Sequence, residues 1–338
     1  MNKNKKNLNL LVVGVGSIGK RHINNLKYFN KNIDIVDVSR KRINECKNKF
    51  KFIKNSFLNY KDAIKKQNYD AIFICTPPHK HLEIASYAAK NRIHIFLEKP
   101  LGMNTKGWDT VIKLCSKYKL INYVAFCHRH INYIKLAKKL LKKKIIGKVV
   151  SGNIRWGSYL PDWHPWEKYN SFYMAKKEQG GGALMDESHG IDLLRYLVGE
   201  VKEVFAVVDT ISNLKITSDD NAFLTLRMRN NSLFHINFDL HSRYPRLSLE
   251  ILGTLGNLII DRVKNEVKYF NANNKKWKIF KFSKADLFKM YLTQADHFLN
   301  SVIKKQKPII DILDGVKTQK VIDTSFLSSK KKKMIKIR

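Results

Sequence analysis

The chain has 338 residues, with 64 Lys or Arg against 28 Asp or Glu, a formal net charge of +36 with His neutral. Its 44% hydrophobic content excludes a disordered chain, and the length points to two domains rather than one core. The lysines are scattered through every segment amid abundant Asn and Ile, so they read as a solvated surface that attracts small anions, not as a nucleic-acid face.

Cys46, Cys75, Cys115 and Cys127 show no paired spacing, so neither a disulfide framework nor a metal site is expected, and the compartment reads as the reducing cytoplasm. Lys3, Lys5 and Lys6 before an apolar run imitate a signal peptide, but Gly14 and Gly16 break that run. No segment carries the ~18 unbroken apolar residues of a membrane helix. Lys330–Lys333, the one dense basic block, reads as a solvated turn.

In chain order, 8–13 reads as a buried strand entering Gly14-Val15-Gly16-Ser17-Ile18-Gly19. Helical spacing follows through Ile23, Leu26 and Phe29. In such a turn the first glycine permits the bend, the second lets a phosphate approach the backbone, and the third lets the helix pack on the strand. The helix start then offers free N–H groups to a pyrophosphate. The next strand, 33–37, ends in Asp37, close to the ~20-residue spacing of a ribose-binding carboxylate. That favours NAD over NADP, with Arg40 and Arg42 as residues that would reverse the preference.

Strand 71–75 breaks at Thr76-Pro77-Pro78-His79-Lys80-His81, and a helix runs over 82–90. Thr76, Pro77 and His81 form a loop close to the cofactor. Strand 93–97 ends abruptly in Glu98-Lys99-Pro100. The proline holds Lys99 extended, and a lysine at the carboxyl end of a parallel strand faces the crevice where such sheets bind ligands. A surface charge pair is the competing reading. Helix 108–117 and strand 121–126 complete a strand-helix alternation that predicts a doubly wound parallel sheet.

The grammar then changes. A helix over 132–143 and a strand over 149–156 precede an aromatic loop, 156–173, with Trp163, His164, Trp166, Tyr169 and Tyr173. These rings either pack or stack on a sugar or nucleotide. After Gly180-Gly181-Gly182, a helix over 186–197 is predicted, with Leu193, Leu194 and Leu197 as its buried stripe. Asp186 and His189 stand at i and i+3 on one face, as do His189 and Asp192. A histidine beside a carboxylate can be polarised for proton transfer, against the plainer reading of a cap and a core histidine. Strands at 203–211, 222–229, 233–241, 247–252 and 257–261 predict a large, mostly antiparallel sheet with helices on one face. A partner subunit is the natural cover for the other. Helices at 290–303 and 315–327 close the chain.

The glycine turn, the Glu98-Lys99-Pro100 triplet, the stretch 180–192, the Asp219-Asp220-Asn221 lead-in to a strand, and the segment 249–256 occur in an order and at separations that resemble the Gfo/Idh/MocA oxidoreductases. The resemblance spans essentially the whole chain. It implies a Rossmann domain (1–126) that binds NAD(P) and an α+β domain (127–338) for substrate and oligomerisation. It makes Lys99 the lysine beside the nicotinamide and the reacting hydroxyl, His189 the catalytic histidine and Asp186 its carboxylate partner. Gly14, Gly16, Ser17, Ile18, Gly19, Asp37, Thr76, Pro77, His81, Glu98 and Lys99 are the expected cofactor contacts. Lys99, Trp163, His164, Tyr173, Asp186 and His189 are the expected substrate contacts. Two residues separate Asp186 from His189 where the family often has three, and Cys127 stands where many members have Asn. The shorter spacing and the aromatic loop resemble members of bacterial surface-glycan pathways. The expectation is therefore a cytoplasmic NAD-dependent enzyme acting on a secondary alcohol of a sugar or nucleotide-sugar, as a homodimer or homotetramer. An inositol or free-sugar dehydrogenase is the enzymatic alternative. A non-catalytic nicotinamide-binding sensor is the alternative of another class.

Overall fold

A computed structural model describes residues 8–29, 32–163, 165 and 167–337. The chain divides into two compact units, one formed by Met1–Cys127 with Lys289–Val316, the other by His128–Phe288 with Lys317–Arg338. No helix among the described residues is long and apolar enough to cross a membrane.

The first unit holds six parallel strands: β1 (Leu10–Val13), β2 (Ile33–Val36), β3 (Ile53–Phe57), β4 (Ala71–Ile74), β5 (His94–Leu97) and β6 (Asn122–Val124). Their order is β3-β2-β1-β4-β5-β6, the doubly wound arrangement in which the order reverses beside β1. Strands β1, β2 and β4 are buried at every position, as a sheet covered on both faces requires. Helices α1 (Ser17–Leu26), α2 (Arg40–Lys49), α3 (Tyr60–Lys66), α4 (His81–Lys90) and α5 (Trp108–Lys117) make the crossovers. An aromatic cluster fills the core. Phe73 stacks on Phe96 at 4.5 Å, Phe96 stacks on Tyr123 at 5.2 Å, and Phe298 meets Phe96 edge-on at 5.5 Å. Phe298 explains why Lys289–Val316 belongs to this unit. The sequence reading left that segment in the second domain, because a contact from residue 298 to strands 200 positions earlier leaves no local pattern.

The second unit is built on nine strands. They are β7 (Val149–Tyr159), β8 (Val201–Asp209), β9 (Asn221–Met228), β10 (Leu233–Asp239), β11 (His241–Gly253), β12 (Gly256–Asp261), β13 (Glu266–Asn271), β14 (Lys276–Lys281) and β15 (Ile335–Lys336). The order is β14-β13-β12-β11-β7-β10-β9-β8-β15, antiparallel except between β7 and β10. One face is buried through alternate residues such as Ile154, Leu224, Leu226, Ile236, Phe238 and Ile251. The helices of this unit include α6 (Asn132–Lys142), α7 (Ala183–Asp186) and α8 (Ser188–Leu197). A Cβ at Gly190 would stand 2.6 Å from the Phe238 ring, so the missing side chain lets α8 lie close on the sheet. On the opposite face Phe205, Val207, Phe223, Leu233, Trp277 and Ile279 are exposed. The register Val207–Phe223–Asn237 places the first of these on one continuous surface. The chain crosses between units after Cys127, and again inside α9 (Ala285–Lys304) and α10 (Ile312–Lys331).

One predicted element differs in a way that bears on the site. The helix expected over 186–197 is two helices, α7 ending at Asp186 and α8 starting at Ser188. Glu187 between them leaves helical geometry at φ −84°, ψ 18°. Asp186 therefore closes one helix and His189 lies in the first turn of the next. Lys330 and Lys331 continue α10 instead of forming a turn.

Candidate active site

The glycine turn joins β1 to α1. Gly14 has φ +91°, and a Cβ there would stand 2.7 Å from the Cys75 carbonyl oxygen, so only glycine fits. A Cβ at Gly19 would overlap the Gly14 carbonyl at 1.9 Å, which is the close helix–strand approach anticipated for the third glycine. Above Gly16 a Cβ would meet nothing within 4 Å. That open space, over the amides of Ser17 and Ile18 at the start of α1, fits a pyrophosphate.

Asp37 follows β2 and is buried. Its Oδ2 accepts from the Val15 N–H at 2.9 Å, and its Oδ1 from the Ser39 N–H at 2.9 Å. The carboxylate is thus fixed beside the glycine turn, where two ribose hydroxyls would find an acceptor. Thr76 follows β4, and its hydroxyl is buried with no hydrogen-bond partner among the described residues. Pro77 precedes the short 3-10 turn Pro78–Lys80.

His81 opens α4 with both ring nitrogens against main-chain carbonyls. Nδ1 lies 3.0 Å from Pro100 O and 3.3 Å from Leu101 O, and Nε2 lies 2.8 Å from Thr76 O. Burial pushes its pKa down, so at neutral pH the ring carries one proton and donates on one side. Its contribution to the cofactor site is the shape of the two loops it bridges.

Glu98 and Lys99 leave the carboxyl end of β5. Lys99 is half-buried, and the Lys99–Pro100 peptide is cis. The sequence reading had no role for His22, yet its Nε2 lies 2.6 Å from Glu98 Oε1, with both side chains buried. The available signal was a histidine three residues past Gly19 on the apolar side of α1.

In the second unit, Asp186 Oδ1 accepts from the Tyr173 hydroxyl at 2.7 Å, which brings two expected substrate residues together. The N-terminus of α7 is held by Asp219, whose Oδ2 accepts from the Leu184 N–H at 2.8 Å. Burial pushes the Asp219 pKa up to about 6. His189 is buried, and its ring lies flat on His128, 4.0 Å between centroids and 17° from coplanar. His128 in turn stacks on Trp156 at 5.1 Å. Arg262 Nη1 lies 3.2 Å from His128 Nε2. A guanidinium only donates, so that nitrogen is unprotonated and His128 carries its proton on Nδ1. Asp192 accepts from Arg129 through both oxygens, from Nε at 2.9 Å and from Nη2 at 2.5 Å, a buried bidentate pair. Trp163 Nε1 donates to the Ser158 hydroxyl at 2.7 Å, and His164 lies outside the described residues.

Two stretches of the chain match known protein families. Residues 8–126 fit the oxidoreductase family model with an NAD-binding Rossmann fold, and residues 134–259 fit the GFO/IDH/MocA C-terminal domain. Myo-inositol 2-dehydrogenase of Thermotoga maritima is 29% identical over 75% of this chain and 75% of its own length. Levoglucosan dehydrogenase of Pseudarthrobacter phenanthrenivorans is 27% identical over 76% and 74%. Among solved structures, levoglucosan dehydrogenase in complex with NADH superposes with a TM-score of 0.87 at 22% identity, covering 98% of this chain and 100% of that one. The WlbA dehydrogenase of Bordetella pertussis, in complex with NADH and UDP-GlcNAcA, gives 0.83 at 21%, covering 98% of each. The chain belongs to the Gfo/Idh/MocA family of oxidoreductases. It is an NAD-dependent enzyme with a Rossmann cofactor domain and a C-terminal domain built on a large, mostly antiparallel sheet.

Proposed function

We propose that the enzyme moves a hydride between NAD and a secondary alcohol, or its ketone, on a sugar or nucleotide-sugar, in the cytoplasm and as a step of surface-glycan synthesis. The observation that carries this reading is the Glu98–Lys99 turn. It presents a half-buried amine at the carboxyl end of β5, on the sheet whose β1 feeds the glycine turn. NAD supplies the hydride acceptor or donor. The α1 amides past Gly16 bind its pyrophosphate, Asp37 binds the adenosine ribose, and Thr76 and Pro77 line the neighbouring loop.

Lys99 donates a hydrogen bond to the reacting oxygen and stabilises negative charge on it. His189 removes the hydroxyl proton on oxidation and returns it on reduction. Asp186, held by Tyr173, assists His189, while Tyr173 and Trp163 contact the sugar. Relatives named for myo-inositol and levoglucosan support a ring alcohol as substrate, and the neighbour bound to UDP-GlcNAcA supports a nucleotide-sugar. The exposed apolar row Phe205, Val207 and Phe223 supports a second copy of the chain as cover for the open sheet face, in a homodimer or homotetramer.

A panel of UDP- and CMP-sugars, myo-inositol and levoglucosan, followed by NADH absorbance, identifies the substrate. On it, Lys99→Ala and His189→Ala should each lose roughly 10²–10⁴-fold in turnover, the usual worth of acid–base assistance. NADH binding, read by fluorescence, should persist in both. Wild-type turnover in both variants would remove the proposal.

A further inference from the structure

The His22–Glu98 contact lies outside the chemistry assigned above. His22 has no exposed surface, and its ring sits edge-on to Phe96 at 5.0 Å and tilted against Phe73 at 5.9 Å, so it cannot swing to water. Its Nδ1 is buried with no hydrogen-bond partner among the described residues. A doubly protonated ring would bury an unmet N–H, so the tautomer that fits donates from Nε2 to Glu98 Oε1. The second oxygen of Glu98 accepts from the main-chain N–H of Lys99 at 3.2 Å. Beyond the lysine, His81 Nδ1 lies 3.0 Å from the Pro100 carbonyl oxygen and 3.3 Å from that of Leu101. A buried imidazole thus stands against each flank of the turn that carries the amine. One of them belongs to the helix that starts at the glycine turn.

We infer that His22 is a positioning residue for Lys99, acting through the Glu98 carboxylate. The inference rests on the role proposed for Lys99 and adds what fixes that amine. Without His22, Glu98 becomes a buried carboxylate missing its main donor, and such a group moves or draws in water. The main-chain bond to Lys99 goes with it. The Gly14, Gly19 and Asp37 contacts do not pass through His22 and should survive.

Acetic anhydride labels amines according to their reactivity and exposure. The labelling rate of Lys99, read by peptide mass spectrometry against other lysines of the same chain, therefore reports its placement without a substrate. In His22→Leu the relative rate should change at least about threefold, the effect of half a pKa unit. The NADH dissociation constant should stay within about twofold, well under one kcal/mol. His22→Gln, whose amide can donate from near the Nε2 position, should restore the wild-type rate. If circular dichroism shows that His22→Leu does not fold, Glu98→Gln takes its place, with a change in the Lys99 rate again expected. An unchanged rate in a folded variant overturns the inference. So does loss of NADH binding in step with the change at Lys99, which would put His22 in the cofactor turn. Labelling does not depend on turnover. An active Lys99→Ala would sink the catalytic role and leave the positioning result standing.

Discussion

At Asp219 two effects oppose each other: burial disfavours the carboxylate, and the hydrogen bond from the Leu184 N–H favours it. Burial wins, and the pKa rises from 3.8 to about 6. An acid whose folded pKa lies above its unfolded one binds its proton more tightly when folded. Its contribution to stability is therefore full below the unfolded value and is lost as pH rises through the folded one. Asp219→Asn keeps an acceptor for Leu184 without the charge. Thermal unfolding should show the variant gaining on wild type as pH is raised from about 4 to about 7. An identical difference at both ends of that range would contradict the burial argument. Asp37 makes a second residue-scale prediction, because its fixed carboxylate would repel a 2′-phosphate. Parallel titrations should show tighter binding of NADH than of NADPH, and Asp37→Ser should narrow the gap. A preference for NADPH in the wild type would overturn this use of Asp37.

Helix α8 carries His189, and the buried Arg129–Asp192 pair ties it to the turn after β6. Removing one member of such a pair leaves an uncompensated charge, typically costing roughly 3–5 kcal/mol against a net stability of about 5–15 kcal/mol. Arg129→Met should therefore destabilise strongly in denaturant titrations, and Arg129→Met with Asp192→Leu should recover much of the loss. Equal damage from the single and double variants would mean that Arg129 matters through packing alone. The same element marks where sequence reading ends. Its apolar stripe was legible, as were β1, β2, β4 and β5, because runs such as Leu10–Val13 are buried at every position. Strand β3 was not, because it is half exposed and mixes Lys and Asn into its pattern. Strands β13 and β14 were not, because β13 is six residues long and opens on Glu and ends on Asn, and Lys276, Lys278 and Lys281 mask the period of β14. The break at Glu187 has no signature of its own in the sequence. His22 and Glu98 were each visible as residues, but a contact between positions so far apart in the chain has no period to reveal it.

For the molecule as a whole, the positions of the glycine turn, Asp37 and Lys99 at strand ends were legible because each follows a buried apolar strand. The aromatic loop was readable only as candidates. Tyr173 found Asp186, whereas Trp163 found Ser158. If a second copy covers the open sheet face, sedimentation should report a dimer or tetramer, and Val207→Lys with Phe223→Lys should yield a folded smaller species. Unchanged mass in that variant would move the interface elsewhere.

The proposal turns on Lys99 and His189 serving the same hydroxyl. Its most direct test is a double-mutant cycle on the substrate that the panel identifies, with turnover measured for Lys99→Ala, His189→Ala and the two combined. Groups that act as a unit are strongly non-additive, so the combined variant should lose little more than the worse single one. Losses that simply multiply would mean that the amine and the imidazole act at separate places.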